Sequence, residues 1–91
     1  TSKKDIKKKS DSIQNLREWK EQFDHVQDAE LRKILYGMLV KCYLHECRVY
    51  SITKWEIDGV DFKFVFNNSL NFKEKIKGLL FALLPKCYVR I

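Results

Sequence analysis

The residues best suited to chemistry are few and scattered. Cys42, His45, Cys47 and Cys87 carry metal-ligating atoms, and Cys42-x-x-His45 would set two of them side by side near a helix end. The spacing of Cys47 fits no zinc pattern. Cys42 already belongs to an apolar helical stripe, where a free cysteine behaves as a small hydrophobe. No metal and no other cofactor is expected. His25 stands alone near a helix junction and reads as a surface or capping residue. Lys86 beside Cys87 would favour the thiolate, but no histidine is placed to make it a nucleophile. Gly37, Gly59 and Gly78 are isolated, so the chain has no glycine-rich phosphate loop. His45-Glu46-Cys47 matches neither the zinc-deaminase nor the metalloprotease signature. Catalysis is not expected of this chain.

Lysines are the other chemically pointed group. Lys3, Lys4, Lys7, Lys8 and Lys9 crowd the start of the chain, and Lys73, Lys75 and Lys77 open a helix near its end. Lysines at a helix N-terminus oppose the macrodipole, which favours an anionic partner. A helix opened by basic residues after a hairpin is similar to the double-stranded-RNA-binding domain, a likeness covering residues 62–84. That domain places three strands between its helices, whereas two are expected here. A long helix before a hairpin and helix is also similar to the KH domain. The KH clamp is a Gly-x-x-Gly loop, and residues 25–28 contain no glycine. The likenesses imply RNA binding through Lys73, Lys75 and Lys77, and the basic charge of the first ten residues adds Lys3, Lys4, Lys7, Lys8 and Lys9 to this alternative function. On a helical wheel, however, Lys75 falls on one rim of the apolar stripe and Lys73 and Lys77 on the other.

These side chains must be positioned by a short series of elements. Residues 1–10 read as a flexible lysine-rich lead, and residues 11–91 as a single α+β domain. A first helix begins within residues 10–12, where Ser or Asp can cap free N–H groups. Its stripe of Ile13, Leu16, Phe23 and Val26 would next reach Glu30 and Lys33. The apolar pattern instead restarts at Leu31, Ile34, Leu35, Met38, Leu39 and Cys42, so a second helix is expected with Asp28 as its N-cap. Residues 48–57 are rich in β-formers, and Asp58-Gly59 suits a type I′ turn into Val60, Phe62, Phe64 and Phe66. That register sets Trp55 opposite Phe62 and buries one aromatic sheet face. Asn71 with Glu74 resembles a capping box for a third helix that stops at Pro85. Residues 87–91 alternate as a short third strand. The expected order is therefore helix, helix, β-hairpin, helix, strand, with helices on one face of a small, mostly antiparallel three-stranded sheet.

Composition narrows the class. Ninety-one residues make about one domain, which buries roughly 60–65% of its unfolded surface. At 45% hydrophobic and 33% charged, the chain is neither disordered nor collagen-like. Its longest apolar run covers residues 79–84, far short of the roughly 20 needed for a membrane span. The net charge of +6 divides into +4 for residues 1–10, −2 for residues 11–46 and +4 for residues 47–91. Three cysteines are an odd and sparse set, and no apolar secretion signal follows the first lysines. An intracellular setting, cytoplasmic or nuclear, is expected. A chain that starts at Thr1 reads as cut from a larger protein.

One feature points to a partner. A surface helix carries one apolar stripe. The second helix has its main stripe near Leu31, Leu35, Met38 and Cys42, with Tyr36, Val40 and Leu44 on the opposite side. The third has Phe72, Ile76, Leu79, Leu80 and Leu83, with Phe81 about 150° away beside Gly78. Either these second faces pack inside an unusually tight monomer, or a partner covers them. The partner reading makes the chain a non-catalytic protein–protein interaction or dimerisation module. It binds another protein or a second copy through Tyr36, Val40, Leu44, Gly78 and Phe81. The edge of the expected third strand is a second route, by strand pairing.

Overall fold

The computed structural model describes the backbone of residues 3–90 and the side chains of residues 6–90. Its regular structure is helical: α1 (Lys3–Asp24), α2 (Ala29–Val49), α3 (Phe62–Asn68), α4 (Phe72–Leu83) and α5 (Pro85–Arg90). There is no strand among the described residues, so the expected α+β layer is corrected to a small all-helical domain.

Local capping decides several boundaries. The Asp28 carboxylate accepts from the Glu30 and Leu31 N–H groups at 3.0 and 3.2 Å, which starts α2 where the stripe changes phase. The Asn71 side chain accepts from Glu74 N–H at 2.9 Å and starts α4. α1 begins at Lys3, so residues 3–10 continue into the helix that carries Ile13 and Leu16, and the start expected at residues 10–12 lies inside it.

The expected hairpin fails at both of its arms. Helix α2 runs on to Val49 and ends in a Schellman-type turn. Ser51 takes φ +54°, and Ile52 N–H donates to the Cys47 carbonyl at 2.9 Å. Residues 57–60 do form a turn, closed by Val60 N–H on the Ile57 carbonyl at 3.0 Å. Gly59 has φ +83°, but Asp58 is not left-handed. A type I′ turn needs both, so the flanking chains are not aimed at each other. Trp55, expected opposite Phe62, instead stacks on Tyr43 with ring centroids 5.9 Å apart. Backbone groups a sheet would have paired find side chains. The Tyr43 hydroxyl donates to the Lys54 carbonyl at 2.9 Å and accepts from Glu56 N–H at 3.0 Å. Arg17 donates to the Glu56 carbonyl at 2.7 Å.

The second arm is α3. The Asp61 carboxylate caps it by accepting from Phe64 N–H at 2.9 Å. The alternating aromatics suit this short helix equally well. Phe62 and Phe66 come one turn apart with centroids at 5.8 Å, while Phe64 meets Tyr36 edge-on at 5.0 Å. The expected third strand is also helical. Pro85 opens α5, where a missing N–H costs nothing. Its inward residue is Tyr88, while Cys87 is exposed. Ile91 lies outside the described residues.

Helix α2 touches each of the other four helices. The core centres on Phe81, whose ring lies 4.7 Å from that of Trp55, 5.8 Å from Tyr88 and 6.2 Å from Tyr43. Edge-to-face contacts of this kind add to simple burial.

Candidate functional site

Helix α4 turns Glu74, Gly78 and Phe81 inward. Phe72, Ile76, Leu79 and Leu83 are 74, 50, 43 and 69% exposed. At about 100° per residue the two sets occupy opposite sides of the helix. Apart from Leu80, which is half-buried against the core, the apolar stripe expected to build the core therefore faces outward, and the face expected to meet a partner is covered by the chain itself. Gly78 is the steric reason. A side chain there would overlap Val65 Cγ1, so its absence lets α3 and α4 close together.

Helix α2 shows the same inversion in part, since Leu39 of its expected stripe is buried and Leu35 and Cys42 are half-buried. Its buried face is Gly37, Leu39, Val40, Tyr43, Leu44 and Cys47, and its exposed apolar residues include Leu31, Ile34 and Met38. The Leu70 side chain occupies the space a Cβ at Gly37 would need. Val40, Leu44 and Phe81, expected on an outer face, are thus core residues, and Gly78 is buried beside them. Tyr36 is half-buried and donates its hydroxyl to Asp24. Burial, then that carboxylate, pushes the Tyr36 hydroxyl up to about 12. Burial pushes the Asp24 carboxyl up, but the Tyr36 hydroxyl and the Lys20 ammonium outweigh it and hold the group below its ordinary value.

The outward stripe of α4 is bordered by cations. On the wheel Lys73 lies to one side and Lys75 to the other. The Lys75 ammonium sits 5.1 Å from the exposed Phe66 ring, which continues the apolar surface toward α3. On the α2 side a groove of about 480 Å³ is walled by Met38, Lys41, Glu74, Lys77 and Tyr88. Glu74 is buried there, with the Lys77 ammonium at 3.6 Å.

The described lysines expected to meet nucleic acid stand on two helices, α1 and α4. Lys7 and Lys8 are exposed on α1, Lys9 stands 3.6 Å from Glu56, and the side chains of Lys3 and Lys4 lie outside the described residues. Helices α1 and α4 do not touch. Among the described residues no three His, Cys, Asp or Glu side chains gather where an ion could be held. Cys47 is sealed in the core, and burial pushes its thiol up to about 12. Cys42 is half-buried and also raised by burial.

Residues 31, 34, 38, 72, 76, 79 and 83 were legible as apolar stripes, but not as surface. The signal that could have oriented them is the pair Gly37 and Gly78 on the opposite faces, where small residues admit close neighbours. No family model matches the chain, and no curated protein or solved structure matches it. No described helix is long and apolar enough to cross a membrane.

Proposed function

We propose that the chain is a non-catalytic protein-interaction module that receives a helix of another protein along the outward face of α4. The observation behind this reading is the exposed series Phe72, Ile76, Leu79 and Leu83, opposite the buried face of the same helix. Spacing of i, i+4, i+7 and i+11 gives α4 one straight apolar stripe, against which a second amphipathic helix can pack. A contiguous apolar patch on a small domain marks an interaction site. The three thiols are unpaired, which supports a reducing compartment, cytoplasmic or nuclear.

A second copy of the chain is a poorer occupant, because it would bring one lysine-bordered stripe against another. RNA binding has less behind it as well. Lys9 and Lys77 face carboxylates, and α1 and α4 stand apart.

The test is selection of displayed helical peptides on the immobilised chain. Enriched peptides should lose binding to Ile76→Glu and keep it on Lys63→Glu, a change on α3. Peptides indifferent to Ile76→Glu would exclude this face as the docking surface.

A further inference from the structure

We infer that the occupant of the α4 face is an acidic amphipathic helix, with an apolar stripe bordered by carboxylates on both sides. This rests on the docking reading above and adds the partner's chemistry to it. Residues 71–90 contain five basic side chains and one acidic one. The acidic one, Glu74, is buried and already has Lys77 at 3.6 Å. The charges that α4 itself shows to solvent are therefore those of its lysines.

The positions of the charges matter more than their number. Lys73 and Lys75 stand on opposite borders of the stripe, so a helix lying along Phe72, Ile76, Leu79 and Leu83 passes between two ammonium groups. Carboxylates on both flanks of that helix would meet them. From Phe72 to Leu83 the stripe is about 17 Å long, which calls for about three turns of partner helix. Phe66 widens the apolar floor beside Lys75, and the ring holds that ammonium at the border rather than over the stripe. A basic partner, or a second copy of α4, would repel both borders.

The experiment uses three synthetic helical peptides with one shared leucine stripe and flanks of Glu, Gln or Lys. Each is titrated into the full chain and followed by fluorescence anisotropy at low salt. The Glu peptide should bind about tenfold more tightly than the Gln peptide, a difference of about 1.4 kcal/mol. The Lys peptide should bind more weakly than either. Added salt should narrow the gap. Lys73→Gln with Lys75→Gln should erase the preference for Glu flanks and leave the Gln peptide's affinity unchanged.

Equal affinity for the Glu and Gln peptides would overturn the acidic-partner inference and leave the docking reading standing. If no peptide binds, or if binding survives both Ile76→Glu and Leu83→Glu in variants that keep the helical circular-dichroism spectrum, the docking reading itself fails. Uptake of the chain by anionic vesicles with no peptide binding would also overturn the inference.

Discussion

The Tyr88 hydroxyl donates to the Leu44 carbonyl oxygen at 2.7 Å, across 44 residues of chain. This bond fastens α5 to the C-terminal third of α2. It also gives the buried Tyr88 hydroxyl its hydrogen-bond partner. The same ring packs edge-on against Phe81, so α5 closes the aromatic cluster from outside. Tyr88→Phe keeps the ring and removes the bond. It should lower unfolding stability by about 1 kcal/mol in urea denaturation. No change would mean that the ring alone holds α5.

The two faces of α4 make opposite predictions. Phe81 is 2% exposed, and Phe81→Ala should cost about 3–5 kcal/mol, a large share of the total for a chain this size. Ile76 is 50% exposed, and Ile76→Glu should shift stability by no more than about 0.5 kcal/mol. Paired urea titrations followed by circular dichroism check both at once. Equal losses would mean that the outward stripe is part of the core.

What could be read along the chain was whatever neighbouring residues decide. Asp28 and Asn71 act on N–H groups two or three residues away, so the starts of α2 and α4 were legible. Pro85 likewise marked the end of α4. Residues 60–66 were not legible, because alternating Val and Phe also satisfy a short helix once Asp61 caps it. The segment before them was settled by distant groups. The Tyr43 hydroxyl takes the polar groups of Lys54 and Glu56 that a sheet would have paired, and Phe81 takes Trp55. The orientation of α2 and α4 escaped for a related reason. Periodicity shows that a helix has two apolar sides. It does not show that Val65 fits at Gly78 or Leu70 at Gly37.

Ser51 is the residue after the α2 C-cap and holds φ +54°, a conformation in which a side chain costs about 1–2 kcal/mol. Ile52 is buried directly after it, so the turn cannot relax without pulling Ile52 from the core. Ser51→Gly should remove most of that cost. After allowing for the greater freedom of glycine in the unfolded chain, the gain should be about 0.5–1 kcal/mol. For a domain of this size the melting temperature should rise by a few degrees, at about 4–8 °C per kcal/mol. Ser51→Ala should give no such rise, and an equal gain from alanine would remove backbone conformation as the cause.

The thiols should separate by burial. Cys87 is exposed and Cys47 is in the core, so at pH 8 an aromatic disulfide reagent should label Cys87 quickly and Cys47 only on unfolding. The same burial makes the fold sensitive to alkali. The Cys47 thiol is raised from 9.0 to about 12, and the Tyr36 and Tyr88 hydroxyls from 10.0 to about 12. All three are acids that the folded chain keeps neutral. Below about pH 8 both states hold these protons and stability does not depend on them. Between about pH 8 and 12 the unfolded chain releases them first, so unfolding is favoured and stability must fall as pH rises. Urea midpoints measured from pH 7 to 11 should hold steady and then drop. A midpoint unchanged at pH 11 would mean that these groups ionise freely in the folded chain, and that Cys47 and Tyr88 are not buried.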